Sequence, residues 1–532
     1  MEAQVRRMRW TGYAMVALVL AMVGCGPAAP IRESAGAPTR VADDNASIVV
    51  AQAADADSLH PILISSTQSS NITRQILQGL YETDPVTGTF TPLLAESYSN
   101  PDPKTWEFKL RQGVKFHDGT PLTIDDVVYS YTLAITDPKS RMSTTKANVE
   151  SAVAVDSSTV RIKTKSVYPA FLDNLASAVR IIPAGYAAQV GVDGFNKAPI
   201  GTGPYRFVEW KKDDHLTLQR FDEYWGPRPS VREIVWRPIP DAATRIASLE
   251  TGQVDVIVNV PPTEAERLGS RDDLRVSKVS SMRTIYVGMN TGTGKATDVN
   301  EPLKNEKVRQ AVQRAIDYQA IIRDVLRGDG MPVASTLVPQ NFGFDPSLEP
   351  APYDPVAARR LLAEAGYPDG VTLDFDVPSG RYLMDREVGE AVAVQLARAG
   401  IKTNLMVQEW GAFYEKYLGG KIKGLWLMGV GKDTTPDAHF FTYYHSKGRA
   451  LYFRDAEVDG LIDTALGTLD DGARLEAFRQ LQKVLLNKAH WAYLYQQTDI
   501  YGVRDRVNLQ TTSNEWLYVE RATVYAPTVA LN

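Results

Sequence analysis

An α/β fold is predicted, on three observations. Stretches of period-two alternation interchange with stretches of helical spacing along the chain. The best-defined unit, residues 105–135, reads as strand, turn and capped helix. The chain has 532 residues, enough for two or three compact units.

The elements follow in order. Residues 47–52 (SIVVAQ) read as a first strand, and Ile72, Ile76 and Leu80 stand at helical spacing. Trp106, Phe108 and Leu110 alternate with Glu107 and Lys109, the pattern of a half-buried strand. Val114 and Phe116 continue the apolar set, and Asp118-Gly119 supplies a turn. Thr123 precedes Asp126 by one helical turn, an approximate capping box with Asp in place of Glu. Val127, Tyr131 and Ala134 then mark a helix face. Residues 159–164 alternate as a strand. Gly201 and Gly203 permit a tight backbone path before Pro204, but the full dinucleotide-binding pattern is absent. Residues 216–221 and 233–239 read as strands, 244–249 as a helix, and 252–257 as the start of another strand.

The second half repeats this logic. Val308, Val312, Ala315 and Ile316 form a helical stripe. Asp317 is placed to cap a following helix through Leu326, ended by Gly328. Asp354-Pro355 starts another helix, with Pro suited to the first helical position. Residues 371–377 and 401–407 read as strands around a helix at 386–400. Helices are expected at 410–418 and 476–486, and the aromatic stretch 491–503 reads as extended chain.

The N-terminus reads as an address. Arg6, Arg7 and Arg9 precede an apolar stretch, 13–23, too short to span a bilayer comfortably. Met22-Val23-Gly24-Cys25 resembles the lipobox of bacterial lipoproteins, so cleavage before Cys25 and its lipidation are expected. Cys25 is the sole cysteine, which rules out an intrachain disulfide and multi-thiolate zinc sites. Residues 25–46, rich in Pro, Ala, Gly and Ser, read as a flexible tether. The formal net charge of -5 and the lack of a basic run make nucleic acid a poor partner.

Three segments carry a family resemblance. WEFKLRQGVKFHDGTPLTIDDVVYSY closely resembles the signature of bacterial extracellular solute-binding proteins of the peptide and nickel class, family five. PIGTGPYRFVEW and YDPVAARRLLAEAGYPDG resemble the same family. The resemblance implies a two-lobed periplasmic-binding-protein-like fold of type II, with an extra subdomain inserted in the first lobe. It implies lobe one from residues 47–80, 181–285 and 491–532, the insertion from 81–180, and lobe two from 286–490. It further implies a non-enzymatic component of an ABC importer. That component would capture an oligopeptide or related polar solute in the interlobe cleft and deliver it to a membrane permease. A monomer without a cofactor or metal is expected. The alternative ligand class is a metal chelate, opine, glycan or other small solute.

The same resemblance points to site residues. Peptide-binding relatives often carry Trp-x-x-Asp where this chain has Val430-Gly-Lys-Asp433, and that Asp holds the ligand's ammonium. Asp437 is the alternative, depending on the loop alignment. Arg386, before the GEAVAVQLARAGI helix, resembles an arginine that clamps a ligand carboxylate, and Arg381 is its substitute. The competing reading of Arg386 is an exposed ion pair with Asp385 or Glu390. Trp410, Trp426 and Tyr443 are candidates for the cleft wall, although each also reads as a packing residue.

Enzyme readings find little support. There is no G-x-S-x-G elbow. Residues 290–297 look phosphate-like, but Ala296 follows Lys295 where a P-loop needs Ser or Thr. His439 and His445 do not match H-E-x-x-H.

Overall fold

The computed structural model describes residues 40–84, 89–172, 176–431, 436–448 and 452–526. Two long antiparallel strands, Leu274–Met289 and Trp491–Arg504, form the spine of an eleven-stranded mixed sheet. Their pairing changes register between Ser280 and Thr284. Before the bulge, residues 274–280 face residues 498–504; after it, residues 284–288 face residues 491–496. A bulge bends its strand and increases the local twist.

Each side of the bulge carries its own wing of strands. On one side, Val256–Ile257 joins the spine, followed by Ser47–Gln52, Glu233–Pro238, His215–Arg220 and Tyr205–Lys211. On the other, Leu425–Val430 runs antiparallel to the spine, then Val371–Ser379 and Ile401–Glu409 are added in parallel. The parallel strands are connected through the Asp385–Arg398 helix, as parallel pairing requires. Leu425–Val430 is buried along its whole length, which explains why its sequence shows no alternation.

A separate four-stranded antiparallel sheet is built from Ala95–Asp102, Thr105–Leu110, Thr159–Thr164 and Val149–Ala154. It falls within the span expected for the insertion. Trp106, Phe108 and Leu110 are buried while Lys109 is exposed, so the period-two reading holds. The helix beside it, Ile124–Thr136, starts as expected. The Thr123 amide donates to Asp126 Oδ2 at 2.8 Å. Asp126 Oδ1 also accepts from the Ala184 amide at 2.7 Å, which ties a second helix to the first.

Other expectations are refined by packing. Gly201 and Gly203 lie against the end of the Thr67–Ile76 helix, and the Gly203 amide donates to Ile76 O at 2.9 Å. A Cβ at Gly201 would stand 2.1 Å from that same oxygen, so close approach explains the glycine. The helix expected from Asp317 to Leu326 becomes a turn of α-helix, Tyr318–Ala320, running into a π-turn, Ile321–Val325. The end of the expected tether is tied down, with the Asp43 amide donating to Val524 O at 2.8 Å.

Candidate functional site

The bulge in the long strand places Arg283 beneath a cavity of about 80 Å3. Ser65, Ser66 and Thr67, at the start of the Thr67–Ile76 helix, form one side. Arg381, Trp410, the Leu425–Val430 strand and Tyr443 close the others.

Arg381 is held by the loop it belongs to. Asp385 opens the Asp385–Arg398 helix and accepts from the amides of Arg381 and Tyr382 at 2.8 and 2.9 Å. That loop directs the guanidinium to Thr67 Oγ1, 2.9 Å away, and to Glu515 Oε2 at 3.2 Å. Arg283 also grips Glu515: its Nη2 lies 2.7 Å from Oε2, and its Nε bonds Oε1. Arg283 Nη1 donates to Gly429 O at 2.9 Å. Glu515 itself has φ near +62°, a left-handed backbone unusual for Glu. A fixed ion-pair partner accounts for tolerating that strain.

The electrostatics follow from this sharing. Burial alone would raise the Glu515 carboxyl, but the charges of Arg283 and Arg381 outweigh it and hold it far below the usual range. Asp499, also buried, is pushed upward by burial and then by the charge of Glu515. Two guanidinium groups therefore share one firmly ionised carboxylate, leaving a net positive floor.

Aromatic rings line the cavity. Trp410 stacks on Tyr414 at 4.8 Å and meets Tyr382 edge-on at 5.8 Å. The Arg381 guanidinium lies 4.9 Å from the Tyr382 ring centre. His439 also lines the cavity, and desolvation lowers its imidazole to about 3, so it is neutral near pH 7. Its Nε2 has no hydrogen-bond partner among the described residues. Glu515 was not marked in the sequence, and His439 was weighed only against the H-E-x-x-H pattern, because their neighbours come from distant segments.

A profile of bacterial extracellular solute-binding proteins, family 5, matches residues 89–451. The chain belongs to that family.

Among relatives of this family 5 protein, the glutathione-binding protein GsiB of Pectobacterium atrosepticum is 30% identical over 463 residues. That match covers 84% of this chain and 88% of GsiB. The solved structure of the DppA periplasmic binding protein of Helicobacter pylori, in complex with peptide STSA, superposes with a TM-score of 0.83. It is 23% identical and covers 91% of this chain and 98% of DppA. AgaA from A. tumefacien R10, in complex with agropinic acid, is 26% identical with a TM-score of 0.80, covering 90% and 96% of the two chains. The fold is therefore the type II periplasmic-binding-protein fold expected from the sequence.

Within this family 5 chain, the structure brings Arg381, Trp410 and Tyr443 to one cavity. It does not bring Arg386 there. That side chain is 62% exposed on the helix and pairs with Glu390 at 2.9 Å. Asp437 is fully buried and makes a two-pronged ion pair with Arg474 at 2.9 and 3.0 Å. Trp426 is enclosed between Gly288 and Tyr452, away from the cavity lining. Asp433 and Cys25 lie outside the described residues. Among the described residues, no group of three or more His, Cys, Asp or Glu is placed to hold a metal ion. No described helix is long and apolar enough to cross a membrane.

Proposed function

We propose that the chain captures a short peptide or related carboxylate-bearing solute between two lobes and passes it to an ABC importer. Lobe one comprises residues 47–80, 181–285 and 491–532, with 81–180 inserted; lobe two comprises 286–490. The observation that carries this reading is the sharing of Glu515 by Arg283 and Arg381. One positive charge on the cavity floor is left over for a solute carboxylate, and guanidinium geometry suits such a partner.

Trp410 and Tyr443 offer rigid surface to the solute's body. His439 offers a neutral ring nitrogen for a hydrogen bond. Asp433 precedes the Asp437–Tyr444 helix and is proposed to meet the ammonium group. Glutathione, peptide STSA and agropinic acid, bound by or named for relatives, support an organic acid as cargo. The cavity's modest volume of about 80 Å3 favours, as a second reading, a compact opine or chelate over a long peptide.

Binding would favour the closed arrangement in proportion to its tighter grip there. Export, lipidation at Cys25 and monomeric action beside a permease complete the proposal. Native mass spectrometry of the purified chain tests it. Retained peptides or another carboxylate-bearing solute are expected. A neutral sugar or a bare metal ion as the sole cargo would overturn it.

A further inference from the structure

A second cavity, of about 260 Å3, shares two helices with the first. On the Asp437–Tyr444 helix, His439 and Tyr443 line the first cavity, while Ala438 and Thr442 line the second. On the Thr67–Ile76 helix, Thr67 lines the first, while Ser70, Thr73 and Arg74 line the second. These sets follow the three- and four-residue spacing of neighbouring helix faces.

Among the described residues, the second lining contains Arg74, Arg141 and Arg180 and no Asp or Glu. Arg141 is engaged with Asp57 and Glu415. Arg74 bonds Glu82 through Nη2 and lies 3.6 Å from the Tyr518 ring centre. Among the described residues its Nε and Nη1 have no hydrogen-bond acceptor, although Nη1 forms a longer ion pair with Glu520 at 3.7 Å. Arg180 makes no hydrogen bond or ion pair among the described residues. Burial lowers its guanidinium to about 10, which leaves it charged at neutral pH. Arg180 is half-buried, and the only described acid acting on its charge is Glu82, which Arg74 already engages, so its guanidinium is open to an incoming anion. Hydroxyls are close by: Thr144 and Thr442 meet at 3.0 Å across the cavity wall.

We propose that this cavity receives a carboxylate-bearing arm of the captured solute, held by Arg180 and Arg74. The proposal rests on the capture function proposed above, and it narrows the cargo to solutes with at least two acidic groups. One would sit over Arg283 and Arg381 and the other beside Arg180.

Calorimetry on the whole chain tests this, with citrate as a small carboxylate probe and a tripeptide mixture as the solute probe. Arg180→Gln removes a charge that pairs with no other described side chain, and its thermal midpoint checks that it folds. Citrate is expected to bind the wild type and to lose about tenfold or more in affinity in Arg180→Gln. Arg180→Glu is expected to abolish binding. Equal citrate affinity in wild type and Arg180→Gln overturns the proposal. So does an absence of citrate binding by the wild type up to about 10 mM. Citrate binding that depends on Arg180, with no tripeptide binding, counts against peptide capture alone.

Discussion

Arg283 and Glu515 lie 232 residues apart in the chain and meet as a buried ion pair on the cavity floor. One partner comes from a strand bulge, the other from a left-handed turn near the C-terminus. Arg381, from a third segment, completes the cluster.

Replacing Glu515 with Gln would leave two buried guanidinium groups without their carboxylate. Removing one partner of a buried pair costs about 3–5 kcal/mol. Glu515→Gln is therefore expected to lower the unfolding free energy by about that amount in urea titrations. An unchanged midpoint would remove Glu515 from the charge balance.

The two arginines considered from sequence are expected to separate in binding assays. Arg381→Met should weaken solute binding by about tenfold or more, since it removes a charge-assisted hydrogen bond. Arg386→Ala should leave both affinity and the thermal midpoint unchanged, because its pair with Glu390 is exposed. Calorimetry with the solute found by mass spectrometry reads both, and the opposite ranking would return the clamp to Arg386.

The two aspartates of the 431–437 segment are expected to differ in kind. Asp437→Asn breaks the buried pair with Arg474 and should cost about 3–5 kcal/mol of stability. Asp433→Ala should lower affinity for a solute with a free ammonium and leave the thermal midpoint in place. A destabilised Asp433→Ala with normal binding would contradict its proposed role.

Stability should also respond to pH through Asp499. Its folded carboxyl is raised by burial and then by Glu515, above the unfolded value of about 3.9. Between those two values the folded chain holds a proton that the unfolded chain has released. Stability from this group therefore falls as pH rises through that window. Asp499→Asn is expected to flatten this part of the profile, measured as the thermal midpoint from pH 4 upward. A wild-type profile with the same slope as the variant's would refute the assignment.

Much of the fold was legible because its causes are local. The alternation at Trp106, Phe108 and Leu110 produced a strand with that face buried. Thr123 and Asp126 lie one helical turn apart, so their cap needs no distant partner. The π-turn after Asp317 was not legible, since a helical stripe does not record how the next turn closes.

The sequence by itself determined the α/β alternation, the helix starts and the motifs that mark a solute-binding scaffold. Only the tertiary structure decided which charges face the cavity. Arg381 and Arg386 are near neighbours in the chain, yet one is turned to Glu515 and Thr67 and the other to solvent. The reason is physical: Arg381 lies in the loop that Asp385 pins before the helix, Arg386 lies in the helix's first turn, and long-range packing selects which of the two is enclosed. Glu515 and Asp437 show the same dependence, because an acidic residue's role is set by the cation that folding brings beside it.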